Sequence, residues 1–218
     1  STGSPCPPDV KRAMIDWWGP VIHESYGASE LGYMTRLDSQ EALRKPGSAG
    51  KPLPGVTVAI LDESGQALPQ DHAGLIYVHQ PAYADFTYIG NDAARQRMER
   101  SGMKTLGDVG YLDEDGFLFI VDRTADLVIS GGVNIYPAEI EAALQMLPGV
   151  HDCAVFGIPD AEFGEALAAA VQTVAGVTLE ATDIQAFLRA RLADYKVPKV
   201  VAFHADMPRE DTGKIFKR

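Results

Sequence analysis

Cysteine is scarce: Cys6 and Cys153 are the two thiols among 218 residues, and they stand in unrelated local contexts. That excludes a disulfide framework and a cysteine-rich metal site, and it fits a reducing, cytoplasmic setting. Long apolar runs are missing as well. No stretch approaches the ~18 residues that span a bilayer, and the opening Ser1-Thr2-Gly3-Ser4-Pro5 is not a basic region followed by an apolar one. Neither membrane insertion nor secretion is expected. Positive charge is in short supply: 19 Lys+Arg against 30 Asp+Glu leave a formal net charge of -11. Nucleic acid, whose phosphates demand a basic surface, is thereby excluded as a partner. A Walker phosphate loop is absent too, because Pro208 stands where its first glycine would and Ile215 replaces the hydroxyl residue due after Lys214.

What is present suits one large or two smaller domains. Val10, Ala13, Met14 and Trp17 have the spacing of a helix's apolar stripe. After Pro20, Val21-Ile22-His23-Glu24-Ser25 reads as a short buried strand delivering Tyr26-Gly27-Ala28-Ser29-Glu30 to a surface loop. Val56–Leu61 and Ala73–Val78 read as strands of a small β-barrel or meander, and Asn91 as the cap of a polar helix reaching about Arg100. The densest stretch runs from Gly107 to Glu141. Within it, Gly110–Leu112 and Phe117–Val121 flank Asp113-Glu114-Asp115-Gly116, a hairpin turn whose glycine supplies the positive φ, so Asp108 sits at a strand mouth. Leu127–Ile129 is a further strand, followed by Ser130-Gly131-Gly132, where the lack of side chains would admit a ligand to the backbone. Pro137 opens a helix with Ile140, Ala143, Leu144 and Leu147 on one face, stopped by Pro148-Gly149. Val150–Ile158 and Ala166–Val174 read as strands, and Thr182–Gln185 has capping-box spacing before a last helix bearing Phe187, Leu188 and Leu192.

Taken one at a time, these features are bland. Asp108 alone reads as a strand-end turn cap, Glu30 as a solvated loop carboxylate, Gly131-Gly132 as a plain turn, and Gly213-Lys214 as a frayed tail. The ordered set does not: G-D-x-G, D-G-[FY], D-R, a double glycine, N-[IV]-[YS]-P-x-E-[IV]-E and a late G-K together resemble the adenylate-forming enzymes, specifically the acyl-CoA synthetases. The resemblance extends over essentially the whole chain.

It implies a site. Gly3, Ser4 and Pro5 match the small-residue loop that contacts adenine. Tyr26-Gly27-Ala28-Ser29-Glu30 matches Y-G-x-[ST]-E, in which the aromatic ring lies against adenine, the hydroxyl meets the α-phosphate and the Glu holds Mg²⁺. A hard cation taking carboxylate and phosphate oxygens suits that role. Asp108 would accept both ribose hydroxyls, and Arg123 would also reach the ribose. Gly131, Gly132 and Asn134, with the helix after them, would meet the pantetheine arm of coenzyme A. Pro208–Lys214 resembles P-R-[ST]-x-[ST]-G-K, making Lys214 the catalytic lysine.

There are departures. Ser29 stands where Thr is common, Glu210 where a hydroxyl residue is usual, and Ala125 where the family carries a charged hinge residue, with Asp126 adjacent. The family's Ser/Thr/Gly-rich loop ending in Pro-Lys, which holds the β and γ phosphates, does not occur, and the chain lacks an initiator methionine. The expectation is therefore an α+β chain in two parts. Residues 1–123 would end a large adenylation domain of β-barrel-like strands plus helices, and residues 124–218 would form a small mobile domain on a three-stranded sheet. With ATP/AMP, Mg²⁺ and coenzyme A as cofactors and a fatty or aryl carboxylic acid as substrate, the whole enzyme would make an acyl-CoA, while this chain alone would be inactive. A carrier-protein thiol as acceptor, or a non-catalytic nucleotide- or CoA-binding module, are the alternatives.

Overall fold

A computed structural model describes residues 3, 6–209, 211, 215 and 217. The chain divides into two compact units, Ser1–Val121 and Asp122–Arg218.

The first unit opens with helix α1 (Pro8–Trp18), started by proline in its first turn and ended by Gly19 at φ 81°. Its buried face is Lys11 and Ile15, not the expected stripe: Val10 is 42 % and Trp17 77 % exposed. What turns Lys11 inward is an ion pair, its Nζ 2.6 Å from Glu24 Oε2. The expected strand at 21–25 is not formed either. Ser39 Oγ accepts from the Ile22 amide and donates to the Ile22 carbonyl, so a side chain takes the bonds a ladder would have made, and Glu24 keeps an isolated bridge to Leu37.

Four two-residue strands follow in part: β1 (Gly27–Ala28) with β2 (Gly32–Tyr33), and β3 (Thr35–Arg36) with β4 (Lys51–Pro52) across helix α2 (Ser39–Arg44). Helix α2 carries a capping box between Asp38 and Glu41. The main sheet holds β5 (Thr57–Leu61), β6 (Gly74–His79), β7 (Glu99–Arg100), β8 (Met103–Lys104), β9 (Asp108–Leu112) and β10 (Leu118–Arg123), with helix α3 (Asp92–Arg97) before β7. Its order is β10-β9-β6-β8-β7 with β5 along β6, an open six-stranded sheet rather than a closed barrel. The Asp113–Gly116 turn is as expected, with Gly116 at φ 77° and Asp113 Oδ1 accepting from the Phe117 amide. Leu31, Met34, Ile60, Ile76, Val78 and Leu118 form the core beneath it.

In the second unit, β11 (Val128–Ser130), β12 (Val133–Ile135), β13 (Val150–Asp160), β14 (Gly164–Thr173) and β15 (Val200–Phe203) make five strands, not three. Strand β12 was hidden because the double glycine reads as an end, whereas it is a hairpin turn returning the chain along β11. Strand β15 is four residues long and pairs in parallel with β14, so local turn chemistry gives no sign of it. Helix α4 (Pro137–Leu144) stops short of Leu147. Helix α5 (Ala181–Arg189) is capped at Glu180, whose amide donates to Asp183 at 2.8 Å, two residues before the expected Thr182. Ile140 and Leu144 of α4 and Ile184 and Leu188 of α5 are each 0 % exposed against Leu167, Ala169 and Val171 of β14. Burying side chains of this size stabilises by about 1.5–3 kcal/mol each. The other side of β14 meets the tail: Ala170 and Ala154 pack with Met207, Phe156 and Ile215.

Candidate nucleotide site

Pairing of Gly27 with Tyr33 forces the Tyr26–Tyr33 segment into a narrow hairpin. A Cβ on Gly27 would stand 2.6 Å from the Gly32 carbonyl oxygen, so only glycine fits there. At the tip, Ser29 is exposed and Glu30 half-buried. Glu30 Oε1 accepts from the Tyr88 hydroxyl at 3.0 Å. Burial first, then the hydrogen bond to Glu30, pushes the Tyr88 phenol above its usual pKa, and the ring is fixed edge-on to Phe86 with centroids 5.5 Å apart. Sequence reasoning missed Tyr88, which lies 58 residues from Glu30.

Asp108, first residue of β9, is 3 % exposed. Its Oδ2 accepts from the Tyr26 hydroxyl, 82 residues away in the chain. The aromatic ring and the carboxylate singled out in sequence are thus brought together. Gly107 reaches the strand through φ 80°. Gly3 is exposed, at φ 90°, while Ser4 and Pro5 lie outside the described residues.

In the second unit, Arg123 is exposed at the end of β10, and Asp126 N–H donates to its carbonyl at 3.0 Å, closing a turn that contains Ala125. Its neighbour Asp122 is buried and accepts from the Arg123 and Ala138 amides at 2.7 and 3.0 Å, the latter at the start of α4. Burial raises its pKa despite these bonds. Gly131 and Gly132 form the β11–β12 turn at φ 56° and 79°, with Ser130 opposite Val133. Two successive positive φ values are what a tight hairpin of this hand demands. The turn therefore has a structural need for glycine and leaves exposed backbone beside the exposed Asn134. Lys214 lies outside the described residues, but an isolated bridge joins Arg209 and Ile215 on either side of it. Glu141 of α4 accepts from Lys217 at 2.6 Å and from the Val155 amide at 2.7 Å.

No cluster of three or more His, Cys, Asp or Glu able to hold a metal occurs among the described residues. Mg²⁺ needs no such cluster, since it takes one or two protein carboxylates, of which Glu30 could be one, and fills its shell with water and phosphate oxygens.

The family description AMP-binding enzyme matches residues 1–85, and AMP-binding enzyme C-terminal domain matches residues 139–214. The chain belongs to the AMP-binding enzymes. Among AMP-binding relatives, the feruloyl-CoA synthase of an Amycolatopsis species is 39 % identical over 217 residues, 99 % of this chain and 44 % of that protein. The o-succinylbenzoate CoA synthetase of Bacillus subtilis, solved with an acyl-adenylate intermediate, superposes with a TM-score of 0.89 at 32 % identity over 98 % of this chain and 43 % of that one. An amide bond synthetase from Marinactinospora thermotolerans gives 0.90 at 32 %, covering 99 % of this chain and 45 % of its own. The chain spans less than half the length of each. No helix among the described residues is long and apolar enough to cross a membrane.

Proposed function

We propose that this chain is the C-terminal part of a cytoplasmic, ATP-dependent acyl-CoA synthetase, in which a carboxylate and ATP give acyl-adenylate and pyrophosphate, and CoA then displaces AMP to give the thioester. The observation that carries the reading is the Tyr26–Asp108 contact beside the hairpin bearing Ser29 and Glu30. It supplies a ring face for adenine and a carboxylate able to accept from a cis-diol. Tyr26 orients that carboxylate, and Tyr88 does the same for Glu30. A bound Mg²⁺ held by Glu30 would offset phosphate charge. Ser29 would donate to the α-phosphate as charge develops there. Residues 1–123 end the adenylation domain and 124–218 form a mobile one whose hinge is the turn after Arg123; the division after Val121 and that short turn support this. Gly131, Gly132 and Asn134 would line the path of the pantetheine arm.

Similarity to an amide bond synthetase favours a second reading, transfer of the acyl group to an amine. The test is acceptor exchange in the full-length enzyme. With Mg-ATP and a panel of aryl and straight-chain carboxylates, the predicted product with CoA is the thioester. Product formation with an amine or a carrier-protein thiol but none with CoA would reject the synthetase reading.

A further inference from the structure

The segment carrying Lys214 is tied to the second unit at described residues on both sides. Before it, Arg209 Nη2 lies 2.5 Å from Asp152 Oδ2, and Met207 is 4 % exposed against Ala154 and Ala170. After it, Ile215 packs beside Phe156 in the same cluster, and Arg209 bridges Ile215. The last tie is Lys217, three residues beyond Lys214. Its Nζ is 2.6 Å from Glu141 Oε1, and both side chains are largely covered, at 20 % and 17 % exposure. Glu141 is not a passing surface carboxylate. It also accepts from the Val155 amide on β13, an edge strand of the sheet, so it joins helix, strand and tail at one point.

We infer that Lys217 is a positioning residue for Lys214, holding the tail to Glu141 so that the catalytic lysine is presented in one place by the mobile unit. The inference rests on the role proposed above for Lys214. A covered carboxylate whose cation is removed loses its compensation, and burial already pushes the Glu141 carboxyl above its usual pKa while Lys217 opposes that rise. The pair therefore resists separation more than an exposed one would. A lysine that must bridge a carboxylate and a phosphate needs this kind of registration, because small misplacements are costly in rate.

The test uses the full-length enzyme with Lys217→Met, Lys217→Arg, Glu141→Gln and, as reference, Lys214→Ala. Single-turnover rates are measured for acyl-adenylate formation and for thioester formation from preformed acyl-adenylate. Lys217→Met is expected to slow the first step by at least about tenfold and the second by less than about threefold, with Lys217→Arg restoring most of the loss. Glu141→Gln, which keeps the size of the side chain, is expected to show the same split should Lys217→Met fold poorly. An unchanged first step in Lys217→Met, or equal losses in both steps without rescue by arginine, would overturn the inference. A Lys214→Ala enzyme that forms acyl-adenylate normally would overturn the underlying reading as well.

Discussion

The two units hold their candidate site residues in opposite ways. In the first, residues far apart in the chain meet: Tyr26 with Asp108, and Glu30 with Tyr88, at separations of 82 and 58 residues. The strands that carry the hairpin are two residues long. The second unit is a long antiparallel pair, Val150–Asp160 against Gly164–Thr173, backed by two helices, and its exposed glycine turn and its tail hang from that frame. A site assembled from segments distant in sequence can be shaped around a nucleotide. A frame of long paired strands carries its turn and its tail as one body.

If the contrast holds, Lys214→Ala in the full-length enzyme is the most damaging change, cutting adenylation by several orders of magnitude. Thioester formation from preformed acyl-adenylate should stay within about tenfold, roughly 1.4 kcal/mol, and rapid-quench assays of each step would separate the two. Next in size is the frame: Ile140→Ala empties a site that is 0 % exposed and should cost about 2–5 kcal/mol, read by chemical denaturation of the second unit. A loss below about 1 kcal/mol would mean that the frame is looser than its packing implies.

Asp108→Ala should weaken ATP binding by about 1.5–3 kcal/mol for each charged hydrogen bond lost. A 2′,3′-dideoxy analogue should then bind as well as ATP. Retained discrimination would assign Asp108 to holding Tyr26 alone. The smallest effects are titrations. Asp122 and Glu141 should titrate above their usual 3.8 and 4.5, both through burial. Asp160, whose carboxylate is held by Lys199 and by backbone amides, should titrate at about 2. The signs differ. Stability linked to the raised pair is fullest below the unfolded values and falls as pH rises through the folded ones, while that linked to Asp160 is present above 3.8 and lost as pH falls towards 2. Carbon-detected NMR of the side-chain carboxyls would read all three.

Sequence reading did best where the signal was local. The hairpin around Gly116, the Pro137 helix start and the long apolar strands of the second unit are each written within a few residues, and the ordered motifs carried the family. It failed where long-range partners decide. Lys11 was passed over because a lysine looks like surface until Glu24 is seen to pair with it. Tyr88 carries no motif. Strand β12 was masked by the glycines that make it possible, and β15 by its parallel pairing. The exposed stripe of α1 has no cover among the described residues, so periodicity alone misjudged which face is buried.

In the proposed two-step reaction the first unit would hold the nucleotide and the second would present Lys214 and then the glycine turn. The most direct measurement is pre-steady-state pyrophosphate release by the full-length enzyme with carboxylate and Mg-ATP, first without CoA and then with it. One pyrophosphate per active site followed by arrest, with CoA restoring turnover and yielding AMP and thioester in equal amounts, is the predicted result. Pyrophosphate release that runs on at the same steady rate whether or not CoA is present would contradict it.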